Sequence, residues 1–188
     1  VTMEDITEKI KKGKEIREAR DLLNTALSQA PVGILIADAP NVKIRIANKT
    51  ALAISGEDPG NLVKIDISQH AINWNVYTLD GKLYPSEELP LSRAILKGEY
   101  TTGEEVLLID KEGMKNWMLT NAAPIYDEKN NVIAGIVIFN DITNQKRAEE
   151  ELEKAKKYID NIINSMPSSI IGVDQKMNVT HWNKQAER

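Results

Sequence analysis

The 188-residue sequence contains no cysteine, which removes disulfides, thiolate nucleophiles and thiolate metal sites from consideration. Histidine occurs only twice, as His70 and His181, so a metal site would have to be built from carboxylates, and the runs Glu87-Glu88, Glu104-Glu105 and Glu149-Glu150-Glu151 read as solvated charge. No metal ligand set is expected. No glycine-rich phosphate loop is present. No basic excess exists either: the net charge of -4 gives no electrostatic case for nucleic acid or an anionic membrane. The apolar run that ends at Phe139 is far short of the roughly 20 residues that cross a bilayer, and no basic-then-apolar signal segment opens the sequence. A soluble, cytoplasmic segment without membrane contact is expected.

What is present is an ordinary globular composition, 41% apolar and 28% charged, enough for a sizeable core. It also repeats. Shifting the sequence by 136 positions places Asp5-Ile6-Thr7 on Asp141-Ile142-Thr143, Glu15 on Glu151, Ala19 on Ala155 and Pro31 on Pro167. With one residue dropped in a turn, Asn48, Lys49 and Ala51 fall on Asn183, Lys184 and Ala186. The reading is a tail of a preceding module at 1–7, a linker helix at 8–30, a whole module at 31–143, a second linker helix at 144–166, and the truncated start of a following module at 167–188.

Within the whole module, Ile34 to Asp38 and Val42 to Ala47 read as a hairpin around Pro40-Asn41. Asn48 is placed to N-cap a short helix from Lys49 to Ile54, which Gly56 stops. Small helices are expected from Pro59 to His70, and two short extended pieces around Asp80-Gly81. "SEELPLSRAILKGE" reads as a helix with Pro90 in its first turn, an apolar face of Leu91, Ala94 and Ile95, and Gly98 as its stop. Three strands follow, Glu104 to Asp110, Lys115 to Ile125 and Asn131 to Asn140. The fold class is α+β, an antiparallel sheet of about five strands with helices inserted after the second strand and long linker helices on either side. Small helices cover one face of the sheet, and the linker helices are candidates for the other.

This order, with "GILIAD" at the opening, "NKTA" at the first helix, "DGKLYPSEELPLSRAILKGE" before the third strand and "IVIFNDITNQKRAEEEL" at the close, resembles the PAS sensor family of bacterial and archaeal sensor histidine kinases. The resemblance implies a signal-input module with a small-molecule pocket and flanking helices that pass conformational change to an output domain in cis. It puts one face of the fourth strand, Met118, Thr120 and Ala122, inside with Val106, Leu108, Val137 and Phe139, and Arg93 is the candidate charge for an acidic ligand. The competing reading of Arg93 is a helix arginine paired with a nearby glutamate. Flavin adduct chemistry in this family needs a cysteine, and haem-binding members carry a histidine on the helix that here runs from Glu87 to Gly98 without one. No cofactor is therefore expected beyond an unidentified small molecule. His70 reads as a surface or capping histidine, and Trp74, Tyr77 and Trp117 as packing residues.

The segment after the last strand is the most informative. Ala148, Leu152, Ala155, Ile159 and Ile162 step by four and three, the spacing of a two-helix seam, and Ile16, Ala19, Leu23 and Ala26 repeat it. A homodimer is expected; the alternative is a helix folded back on its own sheet. Asp141 and Thr143, and Asp5 and Thr7 in the first copy, are expected to tie strand to helix by accepting backbone N–H groups, Thr143 as N-cap. The expected role is a sensor region, not an enzyme, in a parent that is a histidine kinase. The alternatives are a ligand-blind dimerisation module, or the sensor region of a diguanylate cyclase or a transcriptional regulator.

Overall fold

The computed structural model describes residues 3–55, 67–109 and 113–187, and of these the side chains of all but 3–7 and 9. Contacts divide the chain into two units, Val1–Thr143 and Asn144–Arg188.

The first unit opens with helix α1, Met3–Gln29, which places Asp5-Ile6-Thr7 inside the helix. A hairpin follows, β1 (Gly33–Asp38) and β2 (Lys43–Ala47). Val42, expected to open β2, instead sits in the left-handed region at φ 53 with its side chain fully buried, an uncommon conformation for a β-branched residue. Helix α2 (Lys49–Ser55) is capped as its sequence predicts, because Asn48 Oδ1 accepts the Ala51 N–H at 2.9 Å. The stop at Gly56 and most of the stretch from Pro59 to His70 lie outside the described residues. A 3-10 turn at Ile67–Gln69 leads into α3 (His70–Asn73).

The strand β3 is only Val76–Tyr77. It makes the sheet six-stranded among the described residues, where about five are expected; Tyr77 also bridges to Leu83, the second extended piece. Helix α4 (Pro90–Lys97) has Pro90 in its first turn and Gly98 at φ 67 as its left-handed stop. Then come β4 (Thr101–Ile109), β5 (Lys115–Tyr126) and β6 (Val132–Asp141). The strand β4 begins earlier than its alternation shows because a bulge between Thr101 and Glu104, with Gly103 at φ 66, breaks the period there.

The sheet order is β2-β1-β6-β5-β4-β3, antiparallel throughout. The first and last strands of the module are therefore neighbours, and Gly33 at the start of β1 stands opposite Phe139 near the end of β6. The inner face of β6 carries Gly135, Val137 and Phe139. A Cβ on Gly135 would lie 2.6 Å from Ile95 Cγ1, so its absence lets α4 lie close on the sheet. On the outer face Ile136 is half-buried and Ile138 is exposed. The seam residues of α1 are exposed as well, so α1 does not supply the cover expected for that face.

The second unit contains α5 (Thr143–Ser165, its first residue in the first unit) and a hairpin of β7 (Ile171–Val173) and β8 (Val179–Trp182).

Candidate functional site

Between the inner face of the sheet and the helices lies a cavity of about 80 Å³. Six of the residues expected there line it: Val106, Leu108, Met118, Thr120, Val137 and Phe139. Period-two alternation on β4, β5 and β6 brings them together. The remaining wall comes from Leu35, Ile44 and Val76 on the sheet, from the Leu89–Leu91 segment, and from His70 and Trp74.

Two expected pocket residues stand outside that wall. Ala122 shares the Thr120 face but lies one step further along β5, opposite Thr101 and Val137. Arg93 is held elsewhere: Nη2 binds Glu104 and donates to Thr101 Oγ1 at 3.2 Å, while Nε stands 3.5 Å from Glu99. The competing reading of a paired helix arginine is what the geometry shows. Tyr84 completes this cluster, donating its hydroxyl to Glu104 Oε1 at 2.5 Å. Burial, and then the Glu104 carboxylate, push its phenol up to about 12.

His70 was the residue most misread by sequence. It is 3% exposed, not a surface group. The usable signal is its spacing from Trp74, because residues four apart share one helix face and Trp74 is a core residue, with its ring edge-on to Phe139 at 6.3 Å. Trp74 Nε1 is buried and has no hydrogen-bond partner among the described residues.

The cavity wall runs into the junction with α5. Phe139 is four residues before Thr143, where α5 begins. Asp141 Oδ1 accepts the Thr143 N–H at 2.8 Å, as expected in kind. The Thr143 hydroxyl accepts the Trp117 N–H of β5 at 2.9 Å, a cross-strand bond the sequence reading did not foresee, and the Ile142 N–H returns to the Trp117 carbonyl. Thr143 is thus a tie between neighbouring strands made at the first residue of the helix. The side chains of Asp5 and Thr7 lie outside the described ones.

The other junction is built on Asn48. Its Oδ1 accepts from Ile34 and Ala51 N–H, and its Nδ2 donates to the carbonyls of Leu27 and Val32, all at 2.9 Å. Thr50 adds a bond to the Ala30 carbonyl. In the second unit Asn183 makes the corresponding set with Ile170, Ala186, Ile163 and Ser168. Of the α5 seam, Leu152 is 71% exposed and Ile159 54%, with Ala148, Ala155 and Ile162 also exposed.

An antiparallel sheet with helices on one face and an apolar cavity between them defines a PAS-like α+β fold. The PAS domain family model matches residues 31–144, and the chain belongs to that family. It is similar to an RNA-binding light-oxygen-voltage receptor at 20% identity and a TM-score of 0.53, over 73% of this chain and 37% of that one. It is similar to the PAS domain of the fruit-fly ELK potassium channel at 20% identity and a TM-score of 0.51, over 65% of this chain and 96% of that domain. A PAS domain of an HTR-like protein from Haloarcula marismortui matches at 19% identity and a TM-score of 0.50, over 70% and 98%. At such identities the likeness concerns the fold. No curated protein sequence matches the chain. Among the described residues no helix is long and apolar enough to cross a membrane.

Proposed function

We propose that this chain is the signal-input region of a multi-domain cytoplasmic signalling protein, a sensor histidine kinase, and that it binds and relays without catalysing a reaction. A small molecule in the cavity changes the inner face of β6, and the change reaches α5 through the Thr143 tie. The observation that carries this is the continuity of one strand: Val137 and Phe139 line the cavity, and the helix starts four residues after Phe139. The exposed seams on α1 and α5 pair two copies into a homodimer, and the output domain lies in cis. The matching bond sets of Asn48 and Asn183 support a tandem array of such modules. Neither haem nor a flavin adduct belongs to this reading, since the chain offers no cysteine and no histidine from Glu87 to Gly98.

Filling the cavity tests the relay. In a Val106→Phe variant, amide hydrogen exchange at Trp117 and Thr143 is expected to change relative to the wild type. Unchanged exchange at both would show that cavity occupancy does not reach the junction. The small cavity volume favours one rival, a ligand-blind dimerisation module. Mass spectrometry of molecules released from the purified protein separates the two readings.

A further inference from the structure

We infer that the cavity selects a small neutral molecule with an apolar body and one hydrogen-bond acceptor, which takes the indole N–H of Trp74; this rests on the cavity being the ligand site proposed above. The wall decides the class. Its polar side chains are His70, Trp74 and Thr120. The Thr120 hydroxyl donates to the Glu104 carbonyl at 2.7 Å, so its one proton is committed. His70 makes an interaction within the protein, while its Nε2, like Trp74 Nε1, is a buried atom with no hydrogen-bond partner among the described residues. Trp74 Nε1 is the one of these that can only donate; it is buried without a partner among the described residues, and such a group carries a standing penalty that an acceptor relieves.

Charge argues in the same direction. Among the described residues no lysine or arginine lines the cavity, and Arg93 is held by Glu104 and Glu99, so an anion would meet no counter-charge there, and burying an unpaired carboxylate is strongly unfavourable. Size sets the upper limit. A cavity of about 80 Å³ is smaller than the apolar cavity of roughly 150 Å³ known to hold benzene, so the ligand is smaller than a six-membered ring. Nε1 is itself shut from solvent, so binding turns the indole, and the ring it turns against is Phe139, 6.3 Å away on β6.

Three probes of one shape separate these requirements: butanone, its hydrocarbon isostere 2-methylbut-1-ene, and the propanoate anion. They are titrated into the full chain by NMR, reading the Trp74 indole N–H, assigned by its loss in Trp74→Phe, and the methyls of Val106, Leu108 and Val137. Butanone is expected to move the indole proton downfield saturably. It should bind the wild type about threefold to tenfold more tightly than it binds Trp74→Phe, as one hydrogen bond implies, with the alkene weaker and propanoate not saturating. The wild-type indole shift stands even where the variant folds poorly. If the methyls respond saturably but the indole does not, or propanoate binds as well as butanone, the inference is overturned and the cavity remains a ligand site. If none of the three moves the methyls, the cavity reading fails with it.

Discussion

Asn48 holds the last turn of α1 by donating its side-chain amide to the carbonyl of Leu27 at 2.9 Å. Asn183 does the same to Ile163 at 3.0 Å in the second unit. Only an amide presents two donors and an acceptor with two lone pairs on one short side chain, so the four bonds demand this residue type.

Asn48→Ala should destabilise the first unit by about 2 to 5 kcal/mol, because two backbone N–H groups and two carbonyls lose their partner in a buried place. Denaturant unfolding measures the loss, and fast amide exchange at Ile34 and Ala51 locates it. Asn183→Ala should leave exchange at Ile34 and Ala51 unchanged.

Gly33 lies under the Phe139 ring, and a Cβ there would stand 2.3 Å from the nearest ring carbon. Gly33→Ala should cost about 1 to 3 kcal/mol by overpacking. Combined with Phe139→Leu, the loss should fall short of the sum of the two single changes, since the clash needs both partners. Additive unfolding energies would show that the ring gives way freely.

The Tyr84 phenol is pushed up to about 12 in the folded protein, against an ordinary value of about 10. A raised folded value means that the stabilisation is complete below pH 10 and is lost as the pH rises through 12. Thermal melts across that window should show a steeper fall for the wild type than for Tyr84→Phe. Parallel curves would remove Tyr84 from the account.

Leu152 and Ile159, exposed on α5, are expected to meet a second copy. Lysine at both would place charge in the seam, and sedimentation should shift toward monomer. An unchanged oligomer would place the contact elsewhere.

The strands of residues 31–143 and their order were legible because alternation and turn residues are local. Thr143 was legible as the residue where strand meets helix but not in its bond: its hydroxyl accepts from Trp117, 26 positions away in sequence, and no local rule reports a cross-strand partner. The same holds for Arg93, whose anchor Glu104 sits in a bulged start of β4, and for His70, whose burial depends on a sheet that closes over it later in the chain. Asn48 showed its N-cap role from its place before α2, while its bonds to α1 needed the fold.

Every atom that Asn48 and Asn183 grasp belongs to the main chain. The joint between helix and module therefore places no demand on the side chains it touches, and Leu27 against Ile163, or Val32 against Ser168, serve it equally. A substitution at any of those positions leaves the carbonyl in place, so the helix can change its side chains there without losing the joint. What the joint asks of each unit is one asparagine that can reach back about 20 positions to the end of the helix before it.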